Sequence, residues 1–545
     1  MAAPEIEPKL VSRRTFLKKT AMVSVGAVAA TTLASCAPRA SGDSSANIEW
    51  DKEVDVLVVG SGTVATAAVA AKEAGAESVL VIEKGPGFGG TSALSGGVFW
   101  LPMNYAMRDA GIEDNREDAY QYLKIITEGQ STDELINAFL DHAPSFAEWM
   151  RDTVGIDWET STSVNDYYQV PGYRPIGRSI RPYRGGQSLR GMGTWQRLRE
   201  VCDEMGIEVM LDTAAKKLIT NEAGEVIGLY ADSAGSEIAI KARKGVILGT
   251  GGFDHNKEMT AAFLRGPIYV SNAVNTNTGD GHIMGMALGA DLRNMNESWG
   301  LPAFPLDEAT LKGEVDWLSY RGKPNAIVVN KYGERFGNES AAYELFQRAF
   351  YTYDSGNFEY RNIPAYWICD ATYVEHYFMP GSNNQLGVVP DWIVSADSLE
   401  ELCEKLGIDP KGLEATLVTF NENAARGIDP VWHRGEFDLD KTTTGDLTGN
   451  RPELKNNCLA PVEKAPFYGA KYMPGTCGTN GGLRVNANAQ VLNVWGQVIP
   501  RLYAIGNTAG SVMGAGYPGG GGTLAAGGVF GMVAGRHAAA LENVG

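Results

Sequence analysis

The periodicity of apolar positions changes several times along the chain. Val54, Val56, Leu57, Val58 and Val59 form a short, mostly β-branched run, the pattern of a strand buried on both faces of a parallel sheet. The run stops at Gly60, and the Ala-rich segment through Ala71 reads as a helix. Residues 78–82 predict a second strand that ends on Glu83. Further apolar runs that turn on glycine occur at residues 243–252 and 501–507, and a helix is predicted over residues 523–540. From Trp100 to Arg151 charged residues alternate with Tyr, Leu and Phe at helical spacing, which predicts solvated helical scaffold. Asn277–Gly281 opens a helix of Ala, Met and Gly that ends near Ala290. After Trp299 the chain becomes Trp-, Tyr- and Pro-rich, with irregular strands and helical stretches near residues 398–406 and 413–426. The earlier pattern returns around residues 479–482. This order predicts an α/β fold: a discontinuous Rossmann-like domain over residues 51–297 and 478–545, interrupted by an α+β cap at 298–477.

The first glycine turn carries chemistry. From Gly60 the pattern is G-x-G-x-x-A: Gly60 permits the turn, Gly62 lets the backbone approach a pyrophosphate, and Ala65 lets helix and strand close up. A pyrophosphate then sits on the helix N-terminus near Thr63. Glu83, followed by Lys84, stands where an acidic residue hydrogen-bonds an adenosine ribose. A second glycine and hydroxyl loop follows, with Gly90, Thr91, Ser92, Gly96 and Gly97. A nicotinamide fold has no need of that loop, whereas a flavin lying deeper needs close backbone approach along its pyrophosphate and ribityl chain. The predicted cofactor is therefore FAD. Gly251, Gly252, Asp280, Gly506 and Asn507 are further candidates to line its site. So are Gly522, Thr523 and Leu524, at the N-terminus of a helix that could face the flavin pyrimidine. No histidine occurs in the loop 90–94, so the flavin is expected to be non-covalent.

The N-terminus reads as an address. Arg13-Arg14 before Phe16-Leu17-Lys18, then a short run of small and apolar residues, resembles a Tat signal peptide; the run is too weakly hydrophobic for a membrane span. Leu33-Ala34-Ser35-Cys36 resembles a lipoprotein cleavage box. The expectation is a signal over residues 1–36, a lipid anchor at Cys36, a polar tether over 37–50, and a periplasmic or cell-surface location. The 545 residues exceed the roughly 250–300 that one core supports, and a net charge of −18 argues against nucleic acid. The remaining cysteines are scattered without Cys-x-x-Cys, and six histidines without paired spacing point to no metal site.

Three motifs bring in a family. Asp166-Tyr167-Tyr168 with Gly177-Arg178-Ser179-Ile180, Arg335-Phe336-Gly337-Asn338-Glu339-Ser340 with Tyr343, and Gly516-Tyr517-Pro518-Gly519-Gly520-Gly521-Gly522-Thr523 resemble the fumarate reductase and succinate dehydrogenase flavoproteins, and within them the 3-ketosteroid Δ1-dehydrogenases. Two departures, Gly520 and Ala342 where that group has proline, could loosen the site. The resemblance implies a 3-ketosteroid substrate, a Tyr517 hydroxyl and Gly521 N–H that hold the ketone oxygen, and Tyr343 as proton acceptor assisted by Tyr167, with Tyr168 the alternative. A tyrosine base needs its pKa of about 10 lowered or a neighbour to relay the proton. In relatives acting at C4–C5 a serine lies two residues after the tyrosine; Gly519 here favours C1–C2. Rival readings are a 4-ene or 5-reduced steroid oxidoreductase, a fumarate-type reductase of a small unsaturated acid, and an exported steroid-binding flavolipoprotein. With no second nucleotide fold evident, a quinone or small redox protein is the expected electron partner.

Overall fold

The strand Lys52–Val59 forms the centre of a sheet, buried from Val54 onward. It runs parallel to Val79–Ile82 on one side and to Ser236–Leu248 on the other, with Val56 to Val59 in register with Val79 to Ile82. Glu208–Met210 and Val498–Ala504 extend the parallel array at its two ends, and Gln490–Leu492 closes one edge antiparallel. Numbered along the chain, the parallel strands lie in the order 3-2-1-4-5, so the direction of winding reverses between Lys52–Val59 and Ser236–Leu248. Ligands of doubly wound sheets bind at that crevice. In this computed structural model the described residues are 48–160 and 166–544, and they fall within one compact unit. The expected export signal and the Cys36 anchor lie outside the described residues.

Two helices, Ala65–Glu73 and Gly522–Ala539, pack against each other. Small side chains bring their backbones close: Thr66 Oγ1 donates to the Gly528 carbonyl at 3.2 Å, and a Cβ on Gly535 would lie 2.2 Å from the Ala67 carbonyl oxygen. Chain segments more than 450 residues apart in sequence are thus joined at the cofactor crevice.

The segment expected to be solvated scaffold is otherwise. Arg116–Ile126 and Asp133–Trp149 are helices capped by Asn115 and Thr132, and their apolar faces, including Tyr122, Leu123, Phe139 and Phe146, belong to the main core. The charges interleaved among these residues mark only the outer face; the helical period puts the apolar ones on a common inner stripe.

Within the region expected to form a cap, a four-stranded antiparallel sheet runs in the order Ala326–Asn330, Ala365–Cys369, Phe467–Tyr472, Val394–Ala396. Both its faces are buried, so alternate residues serve different cores. Ile327 and Val329 pack with the helices Leu399–Leu406 and Pro410–Ala424, whereas Ala326 and Val328 pack with Phe304, Phe346 and Tyr472. The Arg335–Ser340 motif belongs to this scaffold: Arg335 pairs with Glu339 at 2.6 Å and Asp429 at 2.7 Å, all buried. That leads directly into the helix Tyr343–Phe350.

Candidate active site

One cavity of about 520 Å³ runs from the topological crevice to the antiparallel region, within the range of roughly 300–1,000 Å³ usual for ligand sites. Gly60, at its floor, has φ +101°, and a Cβ there would lie 2.2 Å from the Gly249 carbonyl oxygen across the switch point. Glu83 lies at the end of its strand with both carboxylate oxygens engaged, one by the Ser61 hydroxyl at 2.6 Å and one by the Gly85 N–H at 2.7 Å. A carboxylate has about four lone-pair sites, so capacity remains toward the cavity that Glu83 lines. Ser61 also accepts from the Gly89 N–H at 2.8 Å, which ties the phosphate turn, the acidic residue and the second glycine loop together. Lys84 pairs with Asp280 at 2.9 Å. The first turn of Ala65–Glu73 has no side-chain cap and no acidic residue, as an anion-binding N-terminus requires. These residues fit FAD: a carboxylate for the ribose, a bare helix N-terminus for the pyrophosphate, and a glycine-lined path leading inward.

The path ends among three tyrosines. Tyr167 donates to the Tyr343 hydroxyl at 3.3 Å, and their rings lie edge to face with centroids 5.5 Å apart. Tyr517 stacks on Tyr167 at 5.6 Å and meets Tyr343 edge-on at 5.3 Å. Gly521, at φ +96°, caps the last helix and lines the cavity; a Cβ there would strike the Val98 carbonyl at 2.3 Å. Among the described residues its N–H makes no hydrogen bond, so the group remains a free donor.

Tyr168 turns the other way. Its hydroxyl donates to Glu344 at 2.5 Å and accepts from the Tyr517 N–H at 3.1 Å, while Glu344 is held by Arg348 at 2.6 Å. Tyr122 donates to the Pro518 carbonyl at 2.6 Å and accepts from the Tyr168 N–H at 3.2 Å. Asp166 pairs with buried Arg178 at 2.8 Å and accepts from the Trp100 indole N–H at 2.7 Å. The Asp166–Arg178 motif thus fixes the loop that aims Tyr167 into the cavity and Tyr168 out of it. Ala342, at φ −49°, keeps the backbone conformation a proline would impose.

Of the two conditions that would let a tyrosine act as base, a lowered phenol or a neighbour to relay the proton, the electrostatics does not supply the first. Burial pushes Tyr167 up to about 12 and holds Tyr343 and Tyr517 above the ordinary value. All three are 9% exposed or less, and among the described residues no cation forms an ion pair or hydrogen bond with their hydroxyls.

Of the residues singled out in the sequence, Tyr167, Tyr343, Tyr517, Gly521, Gly60, Gly62, Thr63, Glu83, Lys84, Gly90, Thr91, Ser92, Gly96, Gly97, Gly251, Asp280, Gly506, Asn507, Thr523 and Leu524 line the one cavity. Three do not. Ala65 is buried in its helix. Gly252 is pressed against Thr479, whose Oγ1 a Cβ would meet at 2.3 Å, and Gly522 against the Pro518 ring at 2.7 Å. Their smallness permits packing that shapes the cavity from behind. Sequence reasoning missed Ser61, Arg181, Asn277, Trp317 and Cys477, which also line it. Ser61 was readable as the middle of the Gly-Ser-Gly turn; the others carry no local signal.

Residues 55–524 match the family described as the FAD binding domain. A 3-oxosteroid 1-dehydrogenase of Mycolicibacterium smegmatis is 33% identical over 90% of this chain and 98% of its own. A 4-oxocyclohexanecarboxylate 2-dehydrogenase of Sinomonas cyclohexanicum is 30% identical over 88% of this chain and 92% of its own. Among solved structures, 3-ketosteroid delta1-dehydrogenase from Sterolibacterium denitrificans, in complex with 1,4-androstadiene-3,17-dione, has a TM-score of 0.82 at 30% identity. That match covers 90% of this chain and 100% of the other. With the cradle for FAD built from both ends of the sequence and the family match spanning nearly all of it, the chain belongs to the FAD-binding flavoprotein family that includes 3-oxosteroid 1-dehydrogenases and fumarate reductases.

Proposed function

We propose that the protein is an FAD-dependent 3-ketosteroid dehydrogenase acting on the C1–C2 bond. The observation that carries the reading is the convergence of Tyr343, Tyr167, Tyr517 and the free Gly521 N–H in the cavity that also forms the flavin cradle. Bound FAD supplies the acceptor for a hydride leaving C1. The chain's own residues deal with the proton. The Tyr517 hydroxyl and the Gly521 N–H hold the ketone oxygen and stabilise enolate charge, worth about 3–4 kcal/mol per well-placed donor. Tyr343 accepts the C2 proton, and the Tyr167 hydroxyl, 3.3 Å from the Tyr343 hydroxyl, is in reach to relay it onward. The substrate loses one proton and one hydride and gains one carbon–carbon double bond; run backward, the same site reduces it.

Only Lys84 and Arg181 among the cavity-lining residues are cationic, and none is a histidine; a site that clamps a small diacid needs several such groups. The test is anaerobic addition of 4-androstene-3,17-dione to purified holoenzyme, with product analysis. Flavin bleaching and a 1,4-diene support the proposal. No reaction with it, together with a 4-ene from 5α-androstane-3,17-dione, sinks it.

The proposal extends to cellular context. The Tat-like leader and lipobox support export and a lipid anchor at Cys36, and a quinone or small redox protein would then take the electrons. NADH oxidation as fast as turnover with artificial acceptors would refute that electron partner.

A further inference from the structure

The helix Tyr343–Phe350 carries the base on its first residue and a buried carboxylate on its second. Tyr343 lines the cavity, whereas Glu344 and Tyr168 do not. Glu344 is only 4% exposed, and both its oxygens are engaged. One accepts from the Tyr168 hydroxyl at 2.5 Å, the other from Arg348, one turn further along the same helix, at 2.6 Å.

A buried ion pair contributes little net stability, because desolvation of the two charges offsets their attraction. What this pair holds is more informative. The Tyr168 hydroxyl accepts the N–H of Tyr517 at 3.1 Å. A hydroxyl has one proton to donate; with that proton committed to the Glu344 carboxylate, its lone pairs are left to face the amide. Glu344 thus fixes the direction in which Tyr168 receives Tyr517. Arg348 also donates to the Ala515 carbonyl. The helix that bears the base therefore grips the loop before Gly521 at two places, Ala515 directly and Tyr517 through Tyr168.

The other side-chain contacts of that loop come from elsewhere. Asn480 donates to the Gly514 carbonyl at 2.6 Å, Tyr122 to the Pro518 carbonyl at 2.6 Å, and Ser179 to the Gly520 carbonyl at 2.9 Å. None of these refers the loop to Tyr343. The rings of Tyr517 and Tyr343 touch, with centroids 5.3 Å apart, but apolar contact is non-directional and does not by itself fix where a hydroxyl points.

We propose that Glu344 is a positioning residue: through the Tyr168 hydroxyl it locks the main chain of Tyr517, and so sets where the Tyr517 hydroxyl stands relative to Tyr343. The role rests on the 3-ketosteroid reading, in which Tyr343 is the base and Tyr517 a donor to the ketone. Loss of the C2 proton and growth of charge on the ketone oxygen belong to one step, so the two groups must be in register together. A displaced Tyr517 costs rate more than binding, because its hydroxyl matters most where enolate charge develops. Glu344 itself touches no substrate.

The experiment compares holoenzyme of wild type, Tyr168→Phe, Glu344→Ala, Glu344→Gln and the double variant Tyr168→Phe/Glu344→Ala. Tyr168→Phe cuts the link while keeping the ring and leaving Glu344 paired with Arg348, so it tests the proposal even if Glu344→Ala does not fold. Single-turnover flavin bleaching by 4-androstene-3,17-dione should slow about tenfold or more in Tyr168→Phe and Glu344→Ala, with KM within about twofold of wild type. Glu344→Gln, whose amide oxygen still accepts from Tyr168, should keep most of the rate. The double variant should be no slower than the slower single, since both changes cut one link. Hydrogen–deuterium exchange in the peptide containing Tyr517 should be faster in both single variants than in wild type. Full rate in Tyr168→Phe, a raised KM at unchanged kcat, losses that multiply in the double variant, or unchanged exchange overturns the proposal. If wild type itself were not bleached by the steroid, the ketosteroid reading would fall, and exchange alone would decide: faster exchange at Tyr517 upholds the lock, and equal exchange removes it.

Discussion

Replacing Tyr343 by phenylalanine removes one oxygen from the centre of the phenol cluster and leaves the ring. The ring contacts to Tyr167, Tyr517 and Trp317, at centroid distances of 5.5, 5.3 and 5.6 Å, do not involve the hydroxyl, so flavin and steroid binding should persist. The lost hydrogen bond is long, 3.3 Å, and its loss strands the Tyr167 hydroxyl in a buried site. Stability should fall by about 1 kcal/mol, the low end for an orphaned polar group. The loss to chemistry should be much larger. A positioned general base contributes about 10²–10⁴-fold, or about 2.7–5.4 kcal/mol at 1.36 kcal/mol per tenfold. Single-turnover flavin bleaching under anaerobic conditions isolates that step, while the spectral change on ligand addition reports binding separately. Tyr167→Phe should cost less, and the double variant no more than Tyr343→Phe, because Tyr167 acts through Tyr343. A Tyr343→Phe enzyme that keeps more than about a tenth of the wild-type bleaching rate, a loss under 1.4 kcal/mol, would refute the assignment.

Burial holds Tyr343 above the ordinary phenol value, so its protonated form persists to higher pH and the ionised base grows with pH; kcat/KM should rise about tenfold per pH unit from near 6 to near 9, and a plateau inside that interval would show that the bound site lowers the phenol. The flavin should be released entirely by acid denaturation, since no histidine lines the cavity among the described residues and the Cys477 thiol is pushed up to about 12 by burial; colour retained by the precipitate would contradict this. Gly60→Ala should lower Tm and flavin content together, because its Cβ would fall 2.2 Å from the Gly249 carbonyl. At Gly62 the nearest atom is the movable Ser92 hydroxyl at 3.2 Å, so Gly62→Ala should fold and weaken flavin binding alone. Equal effects of the two would refute that distinction.

What the sequence determined by itself is what neighbours along the chain decide. The β-branched run, the glycine turn, the Ala-rich helix and Glu83 lie within some thirty consecutive residues, and each constrains the next through backbone geometry alone. Hence the strand Lys52–Val59, the helix Ala65–Glu73 and most of the flavin cradle could be read before any folding was considered. The tyrosines were nameable only through their motifs, because the chain carries 22 of them and nothing local separates one from another. Tertiary structure decided which faces the cavity. Tyr167 and Tyr168 are adjacent, and the choice between them rests on Tyr122, Glu344 and Pro518, which come from helix, cap and C-terminal loop. The same holds for the direction of the phenol pKa, since burial comes from packing that no local pattern records. It holds too for charge pairing: Arg178 is engaged by Asp114 and Asp166 while Arg181, three residues on, makes no ion pair among the described residues, since a sequence shows which charges exist and only the fold shows which are already paired.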